Sequence, residues 1–96
     1  MEVKTVNGIM DIHKGARYAE VYLPISPLGL VIIWEVISLP EVKEESDGSR
    51  LISWMARNTR TGDETMMGIN DRDIHYSYRI YPIDHPKIKR YLKSLS

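Results

Sequence analysis

The sequence contains no cysteine, which excludes disulfide bonds, thiolate zinc sites and cysteine nucleophiles. It also carries no net charge, because 13 Lys and Arg residues balance 13 Asp and Glu residues, so its total charge favours neither nucleic acid nor a membrane surface. The longest apolar run, Leu28–Trp34, is far shorter than the roughly 20 residues of a membrane-spanning helix. Residues 1–8 lack the apolar centre of a signal peptide. We therefore expect a soluble cytoplasmic protein.

The composition is that of a folded domain. Hydrophobic residues make up 43% of the chain and charged residues 27%, close to the averages of globular proteins. A chain of 96 residues suits one domain that buries roughly two-thirds of its extended surface. Since no repeat or change of composition marks a boundary, the sequence predicts a single domain over residues 1–96. No cofactor is predicted.

Residues 2–13 predict a β-hairpin. The Asn7-Gly8 pair separates two β-prone segments and is typical of a type I′ turn. With Asn7 and Gly8 as the two loop residues, Lys4 lies opposite Asp11, and this complementary pair favours that register.

The middle of the chain predicts two strands and a loop. Alternating polarity over residues 18–25 predicts a half-buried strand, and residues 26–29 predict a turn. Leu30–Leu39 is apolar on both faces and predicts a central strand, in which Glu35 is either at a solvated face or an unusual buried acid. Residues 40–49 are acidic and turn-rich, which predicts a mobile loop.

The next segments are interpreted as further strands. Residues 50–58 fit a helix or a strand, and the strand is preferred because Gly62 and the apolar residues 65–69 predict a turn and a second strand. Residues 72–81 predict the clearest strand of the chain. Its apolar face is predicted to hold Ile74, Tyr76, Tyr78 and Ile80.

Residues 84–95 predict a helix with Pro86 in its first turn, where the missing N–H is not needed. Its apolar positions follow helical spacing at Ile88, Tyr91, Leu92 and Leu95. Together these elements predict an α+β fold, a mostly antiparallel β-meander in an open sheet or small barrel with one C-terminal helix packed on it.

Two sets of residues have the chemistry of a reactive site. On an extended strand Asp71, Asp73 and His75 point to one side, which suits a divalent metal, but Asp71 is also typical of a turn, and two remaining ligands do not close a site. His75 or His85 with an acid could act as a general base in a nuclease-like hydrolase. His85 equally suits a helix cap, and no hydrolase motif is present. No metal site and no catalytic residue are predicted, and a hydrolase is the weaker alternative.

The C-terminal part of the chain is basic. From His75 onward the sequence contains five Lys or Arg residues and a single acidic residue, Asp84. Tyrosines interleaved with cations suit RNA or single-stranded DNA, which is the alternative function. The predicted binding residues lie on the outward face of the strand and on the helix: His75, Ser77, Arg79, Tyr81, Lys87 and Arg90.

The preferred function is non-catalytic protein binding. Acids dominate residues 35–47 and bases dominate the C-terminal helix, so the chain has two poles of opposite charge that can dock a protein partner or a second copy. An exposed strand edge offers a further route to a homodimer.

Overall fold

An open antiparallel sheet lies at the centre of the computed structural model, which describes residues 1–22 and 30–95. The elements are β1 Glu2–Thr5, β2 Gly8–Asp11, β3 Arg17–Tyr22, β4 Leu30–Val36, β5 Glu41–Glu44, β6 Arg50–Asn58, β7 Glu64–Asn70, a 3₁₀ turn Ile74–Ser77, β8 Ile80–Pro82 and α1 Pro86–Ser94. The strands of the sheet run in the order β7-β6-β4-β3-β8, and β5 shares one edge of β6 with the end of β4. The predicted α+β class with one C-terminal helix is confirmed, and the sheet is open.

The sheet has a hydrophobic core on each face. The hairpin β1–β2 packs on the first face, which we call the hairpin face, and contributes Val3, Met10 and Ile12 to a core that contains Trp34 and Trp54. The helix α1 packs on the opposite face, the helix face. This arrangement explains why the central strand β4 is apolar on both sides, as its sequence predicted.

The predicted hairpin is confirmed, but the predicted register is wrong: the partner of each β2 residue is displaced by two residues along β1. Thr5 lies opposite Gly8, so Val6 and Asn7 form the turn. The Thr5 hydroxyl closes this turn by donating to the Gly8 carbonyl at 2.9 Å and accepting from the Asn7 N–H at 3.0 Å. Asp11 is therefore opposite Glu2 instead of Lys4. It pairs with the N-terminal ammonium group at 2.9 Å, whose hydrogen bond and charge lower the pKa of Asp11.

The C-terminal helix is confirmed in its position and its cap. His85 is the N-cap residue, and its Nδ1 accepts a hydrogen bond from the Lys87 N–H at 3.1 Å. Pro86 follows in the first turn. Ile88 is fully buried against Ala19, Val21 and Tyr81, so one residue anchors the helix to the sheet.

Residues 40–49 were predicted to be a mobile loop, and this is wrong. Glu41–Glu44 pairs with β6 as β5, and the tight turn that follows is held by the Asp47 carboxylate, which accepts from the N–H and hydroxyl of Ser49. These hydrogen bonds lower the pKa of Asp47. All four β5 residues are exposed, so backbone pairing forms the strand without the apolar alternation on which the prediction depended.

The strand predicted over residues 72–81 is also wrong for most of its length. Residues 74–77 form a 3₁₀ turn, and only Ile80–Pro82 is a strand. Ser77 is buried, with 4% of its surface exposed. Its hydroxyl contacts the Ile74 carbonyl and accepts a hydrogen bond from the Val6 N–H, which stabilises the turn against the hairpin. The predicted position of the Tyr76 side chain lies outside what the structure describes.

The remaining strand predictions hold where they can be compared. β6 and β7 are strands, and Ile52, Trp54 and Ala56 are buried as their alternation predicted. β3 is a strand with Ala19 and Val21 buried as predicted, but it is not half-buried, because Tyr18 on its other face is 0% exposed in the hairpin-face core. The rest of that predicted strand and the turn at 26–29 lie outside the described residues.

Glu35 belongs to a row of alternating charges on the helix face, beyond the area covered by α1. It lies opposite Arg17 of β3 and Arg57 of β6, and Arg57 lies opposite Glu64 of β7. Arg57 and Glu64 form an ion pair at 3.0 Å. Glu35 is half-buried between two opposite charges, so it is a structural member of the sheet surface.

Candidate functional site

The residues predicted to form one outward face occupy different places. His75 lies in the exposed part of the 3₁₀ turn, while Ser77 is buried in the same turn. Tyr81 is buried on the helix face, where the Lys87 Nζ lies 5.7 Å from the centre of its ring. Arg79 lies on a separate surface. Arg90 is exposed on α1.

The groups considered for acid–base chemistry are likewise separate. His85 uses Nδ1 to cap the helix, and Glu64 is bound to Arg57. The Asp71 carboxylate accepts from the backbone N–H and the Nε of Arg50, which lowers its pKa. Within the described residues no three His, Asp or Glu side chains are grouped so that they could hold a metal ion.

The strand β7 forms a long open edge of the sheet. Two backbone hydrogen bonds fix its orientation: Asn58 N–H to Asp63 O at 2.7 Å and Asp71 N–H to Arg50 O at 2.9 Å. Because bonded and non-bonded pairs alternate in an antiparallel ladder, the N–H and C=O groups of Met66 and Gly68 point away from β6.

The partner of Met66 across the ladder agrees with this assignment. Met55 lies opposite Met66, and its N–H bonds the Ser38 hydroxyl at 2.9 Å while its C=O accepts from the Ile37 N–H at 2.9 Å. Both contacts are on the side of β6 away from β7. The Met66 amide therefore faces the open side of the sheet.

The other edges are protected in ways that β7 is not. β5 has four residues, and three of them, Glu41, Lys43 and Glu44, are charged. In β8 the Ile80 carbonyl accepts from the Asn7 side chain at 2.8 Å, and Pro82 ends the strand. β7 has seven residues and a single charge, at Glu64. Charges, proline and short length are the usual protection of edge strands, so β7 is the edge most open to pairing.

A cleft of about 460 Å³ adjoins the C-terminal half of β7. It is lined by residues 67–70 and residues 77–80, and Glu20 and Asp73 contribute carboxylates. We call it the β7 cleft. Its volume falls within the roughly 300–1,000 Å³ of ordinary ligand pockets.

Arg79 supplies the positive charge of the β7 cleft. Its guanidinium carbon lies 4.9 Å from the ring centre of Tyr22 and 5.2 Å from that of Tyr78, within the range of cation–π contact. Burial and the neighbouring Glu20 carboxylate raise the pKa of Tyr22, and Arg79 opposes this shift. The two rings hold the guanidinium in place, and a group with five N–H donors retains capacity for a further acceptor.

The β7 cleft combines a cation held between two rings with a strand that, within residues 1–22 and 30–95, pairs with β6 alone. An exposed strand edge is predicted from the sequence, but its position at β7 is not. The cleft was missed because residues 72–81 were predicted to form one strand. The uncharged run from Thr65 to Asn70 was the available signal. No helix within residues 1–22 and 30–95 is long and apolar enough to cross a membrane.

Comparison with known proteins gives no match: no family model fits the sequence, and no curated protein or solved structure is significantly similar to the chain.

Proposed function

We propose that the protein is a non-catalytic protein-binding module, in which an extended segment of a partner protein adds as a strand to the open edge of β7. The observation that carries the proposal is the orientation of the Met66 and Gly68 amides, which point out of the sheet along a seven-residue edge strand with a single charge. Strand addition uses such groups for affinity and side-chain pockets for specificity.

The side chains along β7 support the same mode of binding. Met66 is 69% exposed, so a partner strand that covers it removes apolar surface from water. Gly68 has no side chain, which lets another backbone approach closely. Each added backbone hydrogen bond contributes only about 1 kcal/mol, so this apolar burial is needed for measurable affinity.

The shape of the β7 cleft favours a single extended segment over a second copy of the whole sheet. Residues 77–80 line this cleft together with residues 67–70, so another part of the chain already lies close to this half of β7. One strand can enter such a space, whereas the edge of a second sheet brings its own neighbouring strands and loops with it.

Met66→Pro tests strand addition. Proline removes the outward N–H of Met66 but no hydrogen bond of the β6–β7 ladder, so the fold is retained while the partner strand loses its donor. Peptides selected by the wild-type protein from a displayed random library are expected to bind Met66→Pro roughly tenfold or more weakly. Met66→Ala keeps the amide and is expected to lose less. Titration calorimetry measures both affinities, and the unfolding temperature verifies folding.

Three results would contradict strand addition at β7. The library yields no binding peptide, or the selected peptides bind Met66→Pro as tightly as the wild type. The third is a dimer in sedimentation equilibrium that Met66→Pro converts to a monomer, because the edge is then occupied by a second copy.

Nucleic-acid binding is a second candidate, and the pairing of cations with tyrosine rings favours it. Arg79 contacts Tyr22 and Tyr78, and Lys87 contacts Tyr81. Opposing it, Glu20 and Asp73 line the β7 cleft beside Arg79.

Removing three positive charges tests this second candidate. If the basic residues contact phosphates, replacing Arg79, Lys87 and Arg90 together by glutamine weakens binding of a uridine oligonucleotide and reduces the salt slope by about 0.7 for each lost contact. A control with the same charge change replaces Lys4, Lys14 and Arg60, which are exposed elsewhere. Fluorescence anisotropy over a salt series compares the two. Equal slopes, or no binding at low salt, exclude this candidate.

A further inference from the structure

We infer that the partner segment bound along β7 carries a carboxylate, and that Arg79 of the β7 cleft binds it. This inference rests on the proposed function and adds the chemical identity of the segment. The strand edge by itself reads only backbone groups, so a selective module needs a side chain that distinguishes one extended segment from another.

Arg79 is the residue placed for that role. It lines the β7 cleft together with Gly68 and Asn70, so a strand paired with this half of β7 passes beside it. Tyr22 and Tyr78 contact the guanidinium at 4.9 and 5.2 Å, which reduces the side-chain freedom lost on binding. A planar guanidinium matches a carboxylate through two parallel hydrogen bonds.

The other charges of the cleft favour a carboxylate over a phosphate. Glu20 and Asp73 both line the cleft, so a doubly charged phosphate group meets two negative charges against one positive charge. The Glu20 carboxylate already accepts from the Trp34 Nε1–H at 3.0 Å, which fixes it near the cleft. A singly charged ligand group is repelled less strongly.

Such a carboxylate has two sources in a protein segment. It is either an Asp or Glu side chain within a strand or the carboxylate at the end of a chain. Both groups present the same planar acceptor to Arg79. Two libraries separate the sources: one displays random peptides with a free C-terminus, and the other places the random segment inside a folded loop.

Selection on the wild-type protein and on Arg79→Gln tests the inference. On the wild type, one peptide position is expected to enrich Asp or Glu, or the free C-terminus is expected to be required. Changing that carboxylate to the amide is expected to weaken binding to the wild type by roughly tenfold or more, and to leave binding to Arg79→Gln unchanged. Arg79→Lys keeps the charge but loses the planar fork, so it is expected to recover only part of the affinity.

Arg72→Gln is the matched control, because Arg72 donates to the Asp47 carbonyl at 2.9 Å and does not line the β7 cleft. It is expected to select the same acidic peptides as the wild type. If peptides are enriched without an acid and Arg79→Gln selects the same set, the inference fails while strand addition at β7 stands. If no peptide is enriched, the proposed function itself fails. Tighter binding of the phosphoserine form of a selected peptide contradicts the assignment to a carboxylate.

Discussion

Trp54→Ala is expected to lower the free energy of unfolding by about 3–5 kcal/mol, as is usual when a large buried aromatic side chain is removed. Trp54 is 2% exposed in the long central part of β6. Its ring meets Tyr18 edge to face, with 5.8 Å between centres and 89° between planes. The loss is large because Trp54 belongs to the core that joins the hairpin to the sheet. Urea denaturation followed by circular dichroism measures it.

Tyr18→Phe separates the hydrogen bond from the packing of Trp54. The Trp54 Nε1–H donates to the Tyr18 hydroxyl at 3.2 Å inside the core. Phenylalanine retains the ring contact but leaves a buried donor without its acceptor, which costs about 1–3 kcal/mol. In a double-mutant cycle the two changes are expected to be non-additive, since both remove the same contact. Additive losses would show that the pair is not coupled.

This hydrogen bond is expected to be insensitive to pH in the neutral range. Burial raises the pKa of Tyr18 above its ordinary value of 10, despite the opposing hydrogen bond from Trp54. The hydroxyl therefore stays neutral up to strongly alkaline pH. Because the pKa of Tyr18 is raised in the folded state, the neutral hydroxyl contributes fully to folding stability below pH 10, the ordinary pKa of tyrosine. This contribution is lost as the pH rises above that value.

The strands that the sequence predicted are those whose side chains meet a core. β6 alternates buried and half-buried residues, which gave Ile52, Trp54 and Ala56 their period of two. β4 is covered by the hairpin on one face and by α1 on the other, so its continuous apolar sequence identified a central strand. Burial leaves a periodic trace in the sequence, and such elements can be predicted from it.

The segments that were predicted wrongly are stabilised by hydrogen bonds, which produce no periodic pattern of apolar residues in the sequence. β5 depends on backbone pairing with β6, and all its side chains are exposed. The 3₁₀ turn at 74–77 depends on Ser77, which accepts from the Val6 N–H 71 residues earlier in the chain. In the hairpin, Asn7 donates to the Tyr78 and Ile80 carbonyls and is the second residue of the turn, instead of the first as in an Asn-Gly turn. Contacts this distant in sequence override the local turn preference.

The candidate site could be predicted only in part for the same reason. That β7 lies at an edge follows from the order of all the strands, which no local pattern contains. The β7 cleft draws Arg79 from the start of β8, Tyr22 from the end of β3 and Gly68 from β7. Arg79 was predicted as a binding residue on charge alone, and this role stays a prediction. Its tyrosine contacts and its neighbours required the fold.

Ile88→Ala is expected to lower the free energy of unfolding by about 2–5 kcal/mol, because Ile88 is 0% exposed and anchors α1. Leu92→Ala on the same helix is the control: Leu92 is 36% exposed, and its loss is expected to be much smaller. Tryptophan fluorescence reports on the hairpin face, because Trp34 and Trp54 both lie in its core. The helical signal in circular dichroism reports on α1.

The two signals decide whether α1 unfolds with the sheet. β3 contributes Tyr18 to the hairpin-face core and Ala19 and Val21 to the helix-face core, so loss of one core weakens the strand that supports the other. Coincident transitions are therefore expected in Ile88→Ala, both shifted to lower urea concentration. If fluorescence keeps the wild-type midpoint while the helical signal is lost earlier, α1 is a separately unfolding unit and the two cores are not coupled through β3.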